Sequence, residues 1–144
     1  MATTGRLLRY LWAGPNTLLG LALGVVGVLF GATLRRHQGV LEVCGGRIGA
    51  ALAKLPQPFA FSAMTLGHVI LAVDRSALLQ LRQHEHVHVR QYERWGPLFL
   101  PAYLLSSLLQ LLRGRNPYRE NHFERQAYAA TAPRRRIASG RARG

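Results

Sequence analysis

The sequence predicts an α+β fold in which an N-terminal transmembrane helix is followed by a core of short strands and helices. Three features carry that prediction: an uncharged run from Thr17 to Leu34, short strand-like stretches at 39–43 and 64–71, and a run from Asp74 to Trp95 with no proline or glycine. A chain of 144 residues has room for one modest domain. Hydrophobic residues make up 49% of it while the net charge is +13, almost all from arginine. An apolar middle with basic ends fits a protein on or in a membrane better than a soluble globule. Cys44 is the single cysteine, which excludes an intrachain disulfide and a thiolate metal cluster and leans towards a reducing compartment.

Residues 1–10 form a basic N-terminus carrying Arg6 and Arg9. Residues 11–34 read as the transmembrane helix: flanked by Trp12 and by Arg35-Arg36, the run is long enough to cross about 30 Å of hydrocarbon. Gly20, Gly24, Gly27 and Gly31 line one face of it, a stripe that lets another helix approach closely. A signal peptide is the competing reading, with Arg6 and Arg9 as its basic region. No small-x-small cleavage site follows promptly, and Arg35-Arg36 looks like a stop, so a retained anchor is favoured.

Residues 35–130 form the core. Gly39 to Val43 is a short strand, and Cys44-Gly45-Gly46 marks a turn. Residues 47–55 suit either a helix or a strand, and Pro56-Gln57-Pro58 ends them. Met64 to Leu71 reads as one strand. It leads through Asp74, a good N-cap, into a helix that Arg90 and Arg94 suit near its C-terminal end. A second apolar run at 97–112 contains Pro101 and is short for a crossing. The last helix runs over 117–130, and 131–144 is a basic, disordered tail.

The chemistry lies in His84-Glu85-His86-Val87-His88, an H-E-x-x-H motif on the long helix. Histidines four residues apart stand one turn above each other, so His84 and His88 can grip one zinc ion (Zn2+). Glu85, a step round the helix, can take a proton from a metal-bound water. The bland alternative is a His-rich exposed helix, since three of the six histidines fall within five positions. Catalytic zinc generally has three protein ligands. Glu124, within Asn121-His-Phe-Glu-Arg-Gln-Ala-Tyr128, is the best third ligand and Glu120 a second acidic option. Asn121 with Glu124 is also a capping-box pattern, which would make Glu124 structural. His86 points away from the ligand face, and His37, beside the arginine pair, is interfacial.

The order of Thr65-Leu-Gly-His-Val-Ile70, His84-Glu-x-x-His88-Val-Arg-Gln-Tyr92 and Asn121-x-Phe-Glu124-Arg-x-Ala127 resembles zinc metallopeptidases of the gluzincin type. It is closest to small bacterial membrane-associated proteins that pair this motif with an N-x-F-E-R-x-A segment. The resemblance covers roughly residues 64–130 and implies a minimal zincin-like core. His84, His88 and Glu124 would be the zinc ligands and Glu85 the general base. The strand at 64–71 would lie at the cleft edge, where an extended peptide could pair with it. His68 would then be near the substrate or the transition-state oxygen, although a packed strand histidine is the favoured reading of it. His122 and Tyr128 are further options for oxyanion stabilisation. The family often has an acidic residue where this chain has Tyr128, and a large substrate-binding subdomain is not recognisable.

If 97–112 crossed the bilayer fully, Glu124 would lie on the opposite side from His84 and His88. The segment is therefore expected to dip into or lie along the membrane, or to pack as a broken hairpin beside the glycine stripe. Most basic residues lie on the catalytic side, which by the positive-inside tendency would face the cytoplasm of a bacterial inner membrane. The leading expectation is a membrane-anchored zinc metalloprotease with a peptide or protein substrate. A non-catalytic membrane protein with a structural or vestigial metal site is the alternative. The basic tail fits anionic lipid as well as nucleic acid, and no nucleic-acid-binding motif accompanies it.

Overall fold

The computed structural model describes residues 2–54 and 61–133, with side chains described from residue 5 onward. Residues 55–60, including the Pro56–Pro58 break, and the tail at 134–144 lie outside the described residues.

A four-stranded sheet forms the centre. Strands β1 (Thr33–His37) and β2 (Val40–Cys44) make one antiparallel hairpin, and β3 (Ala63–Leu66) and β4 (Val69–Ala72) a second. Strands β2 and β4 pair in parallel, giving the order β1-β2-β4-β3. The first hairpin turns on Gln38 (φ 48°) and Gly39 (φ 84°), the two left-handed positions that a tight type I′ turn needs. The second turns at Gly67 (φ 60°), where a Cβ would run into Thr17. The single strand expected over 64–71 is thus a hairpin, folded back at a glycine that the apolar pattern had hidden.

Helices α1 (Ala2–Trp12) and α2 (Gly14–Leu29) precede the sheet and meet at 66° across Ala13. The one helix expected over 11–34 is corrected at both ends. Pro15 lacks an N–H and restricts the residue before it, so the chain bends there. Gly31 (φ 88°) ends the second helix, and Leu34 to Arg36 belong to β1. The glycine stripe receives the sheet instead of another helix. A Cβ built on Gly20 would stand 2.7 Å from the Leu66 carbonyl oxygen, and one on Gly27 3.2 Å from Val43 Cγ1. Helix α2 is therefore one layer of the fold.

The other sheet face is covered by α4 (Arg75–Trp95), after a short α3 (Gly46–Leu52) in the segment left open between helix and strand. Alternation decides the faces: Val40, Cys44, Ile70 and Ala72 pack with Leu78 and Val89 of α4, while Val43 and Val69 meet α2. Glu42 also points to the α4 side. It is 1% exposed and accepts hydrogen bonds from Arg82 Nε at 2.7 Å and Nη2 at 2.9 Å, a bidentate pair that offsets the cost of burying its charge.

Gly96 (φ 57°) closes α4, and a 3-10 turn at Gly96–Leu98 leads into α5 (Phe99–Leu112). By length and composition the helical run Arg75–Leu112 could cross a membrane. The last helix, α6 (His122–Thr131), starts later than the expected residue 117 because Asn116 Oδ1 accepts the N–H groups of Tyr118 and Arg119 and holds a turn. Substituting Gly20→Val should lower stability by about 1–3 kcal/mol through overpacking against Leu66 and Val69, read as a fall in thermal midpoint. Gly24→Ala, whose Cβ would stand 3.3 Å from Val43 Cγ2, should cost much less.

Candidate metal centre

Helix α4 begins at Asp74, whose Oδ1 accepts the Ala77 N–H at 2.8 Å. Uninterrupted helix then carries His84, Glu85 and His88 to its buried face. Below them Tyr92 packs on Phe99 of α5, centroids 4.3 Å apart, and Phe99 packs on Phe123 of α6 at 4.9 Å. This aromatic cluster brings α6 up to α4. Asn121 completes the placement. Its Oδ1 caps α6 by accepting the Phe123 N–H at 2.9 Å, and its Nδ2 donates to the Tyr103 carbonyl and to Ser107 Oγ on α5. Asn121 is thus the cap, and the Glu124 side chain turns away from it to α4.

The outcome is a convergence of three groups. His84 Nε2 and His88 Nε2 are 3.1 Å apart, Glu124 Oε2 is 3.0 Å from His84 Nε2, and Glu124 Oε1 is 3.3 Å from His88 Nε2. All three residues are buried, and their ligand atoms lie close enough together to hold a metal ion. Two imidazole nitrogens aimed at each other repel unless a cation, a proton or a metal ion, lies between them. Burial pushes the Glu124 carboxyl pKa up, but its bonds to His84, His88 and Tyr103 outweigh that and bring it down to about 2. The group is a carboxylate at any physiological pH.

Neighbouring side chains orient these ligands. Gln91 donates through Nε2 to the Phe123 carbonyl at 3.1 Å, which leaves its Oε1 to accept from His88 Nδ1 at 2.8 Å. With the proton on Nδ1, the lone pair on Nε2 faces the centre. Tyr103 donates its hydroxyl to Glu124 Oε1 at 2.7 Å. Burial and the Glu124 charge raise the Tyr103 pKa, so it remains a donor. Glu85 is 3% exposed, and its Oε2 accepts from the Thr65 hydroxyl at 2.7 Å. Burial raises its pKa against the pull of His88 and Thr65.

Glu85, His88 and Glu124 line a cavity of about 210 Å³ whose walls include Met64 and Leu66 of β3, and Phe99, Leu100 and Tyr103 of α5. Among the described residues no arginine or lysine lines it.

Other expected site residues lie elsewhere. His68 is in the β3–β4 turn, stacked on Tyr10 at 3.9 Å and bonded to Thr17 and Glu93, the packed histidine of the two readings open for it. His122 faces outward and bonds Gln126 at 2.9 Å, away from the centre, because it directly follows the cap Asn121 on the solvent side of α6. Glu120 sits in the turn before α6 and is not among the converging groups. Tyr128 flanks the His84 ring, centroids 4.7 Å apart.

Tyr103, Gln91 and Thr65 were missed as functional residues. A phenol within an apolar run needs a buried partner, which was a legible signal for Tyr103. Gln91, three residues after His88, lay on the ligand face of the same helix.

The chain matches no protein-family model, no curated protein and no solved structure in comparisons with each.

Metal analysis of the purified chain should find one divalent ion, lost in His88→Ala. Tyr103→Phe, which removes only the bond to Glu124, should weaken metal affinity on the order of tenfold in a chelator competition.

Proposed function

We propose that the chain is a membrane-associated zinc metallopeptidase of minimal zincin-like architecture, hydrolysing peptide bonds in the cleft between β3 and α5. The observation that carries this reading is the convergence of His84, His88 and Glu124 with Glu85 beside them. Donor atoms at 2.0–2.1 Å from a tetrahedral zinc stand about 3.3 Å apart, and separations of 3.0, 3.1 and 3.3 Å are close to that edge. Two imidazoles with one carboxylate disfavour calcium and magnesium, which take oxygen ligands. When bound, zinc supplies a Lewis acid that acidifies water and polarises a carbonyl.

The remaining chemistry belongs to the chain. Thr65 holds Oε2 of Glu85, leaving Oε1 to take the proton of the attacking water and pass it to the departing amine. The raised pKa of Glu85 suits both directions of that transfer. Strand β3 is an outer strand of the sheet and lines the cavity, so an extended peptide can pair with its edge. The cleft walls, without cationic side chains among the described residues, favour a neutral, apolar segment of peptide.

The membrane contact is assigned to α2 and α5. Leu18, Val25 and Leu29 on the first, and Leu104, Leu105 and Leu112 on the second, are all exposed. At 16 and 14 residues these helices span about 24 Å and about 21 Å, short of the 30 Å core of a bilayer. Contact between Glu124 and the α4 histidines argues that both ends of α5 stay on one side, so α5 lies along the leaflet. Arg35, Arg36, Arg113 and Arg115 favour the cytoplasmic face of a bacterial inner membrane.

A second reading, a structural metal site in a non-catalytic membrane protein, draws on the burial of all three ligands. Glu85→Gln separates the two. In a peptidase it should cut turnover of an apolar peptide by about 10²–10⁴-fold while metal content stays at one ion per chain. Absence of turnover in the metal-loaded wild type would favour the structural site. Leu105→Glu with Leu109→Glu should release the chain from lipid vesicles in a flotation assay without changing its bound metal.

A further inference from the structure

A second polar site lies away from the ligand face of α4. Arg82, His86 and Arg90 recur every four residues and share one stripe of that helix. With Gln83 they face His37 and Gln38, at the β1–β2 turn, across an open cavity of about 390 Å³. The His37 ring stands edge-on to His86, centroids 5.8 Å apart. Among the described residues no acidic residue lines the cavity. Glu42, the carboxylate beside it, is already taken up by the Nε and Nη2 groups of Arg82, which leaves Nη1 unspent and the guanidinium plane fixed. Arg90 is exposed and forms no ion pair among the described residues. The Nε2 of His86 is buried and meets no hydrogen-bond partner among the described residues.

The geometry points to an anion site, distinct from the metal centre, that takes a phosphoryl group. Two guanidinium groups, two imidazoles and the amides of Gln38 and Gln83 offer more donors than the two oxygens of a carboxylate accept. A tetrahedral phosphoryl group presents three or more acceptor oxygens and pairs with arginine forks. The unpartnered imidazole nitrogen and the uncompensated arginine are the features a bound anion relieves. The phosphoryl group can come from a lipid headgroup or from a soluble phosphate, and this assignment is independent of the peptidase reading.

The full chain in neutral detergent tests this. Inorganic phosphate should raise the thermal midpoint above that in chloride at matched ionic strength. Arg90→Ala and His37→Ala, neither in the metal centre, should each weaken phosphate binding at least about tenfold. Arg113→Ala, a charge removed elsewhere, should leave it unchanged, which separates the site from general attraction to a net charge of +13. Flotation with phosphatidic acid vesicles, against phosphatidylcholine vesicles, distinguishes the sources. Capture sensitive to Arg90→Ala assigns the lipid headgroup, and a phosphate effect without such capture assigns the soluble ion. The site is overturned if phosphate acts no differently from chloride and capture ignores both substitutions, or if Arg113→Ala weakens binding as much as Arg90→Ala.

Discussion

The contact between Glu124 and the paired imidazoles of α4 governs the arrangement of the C-terminal half of the chain. Three acid–base groups, all below a tenth exposed, meet with their nitrogen and oxygen atoms about a hydrogen bond apart. Burying a carboxylate is costly unless it is fully engaged, and here the Tyr103 hydroxyl donates to one oxygen while both imidazole Nε2 atoms stand close enough to share a cation with it. Because those partners come from α4 and α5 while the carboxylate comes from α6, the three helices are joined by one polar node above one aromatic cluster. The route of α5 follows from this. It must leave α4 and bring the chain back within reach of it.

The sheet separates two chemistries. On one side glycines at every turn of α2 bring helix backbone against strand, mostly through apolar contacts, with Thr17 bonded to His68 at the β3–β4 turn. On the other, α4 sets Glu42 against Arg82 and Glu85 against Thr65, so each charge facing the sheet has a partner. Alternation along the strands makes that division possible, since neighbours such as Glu42 and Val43 point to opposite layers.

Residues whose role is set within one helix were legible in the sequence. The Asp74 cap, the uninterrupted run to Trp95 and the four-residue spacing of His84 and His88 all follow from local geometry. Glu124 could be named as a partner from chemistry alone, although Asn121 offered it a competing role as part of a cap. Features that depend on tertiary contact were not legible. An apolar run at 64–71 reads the same whether it is one strand or two, and only the positive φ at Gly67 divides it. The stripe at Gly20, Gly24 and Gly27 announces close approach but not what approaches, and lipid-facing and sheet-facing glycines look alike on paper. A packed histidine could be expected at His68, but not its partners, since Tyr10 and Glu93 are distant in the chain.

Two bends in the chain touch. Ala13, at the elbow between α1 and α2, is fully buried against the aromatic cluster, and Asn16 donates to the carbonyl of Gly96 at the elbow between α4 and α5. A side chain at Gly96 would strike the Trp12 indole, so the two corners interlock like knuckles. Both oily helices consequently spring from a single hinge-pin at the foot of the histidine helix. That pin stands about two turns beyond His88.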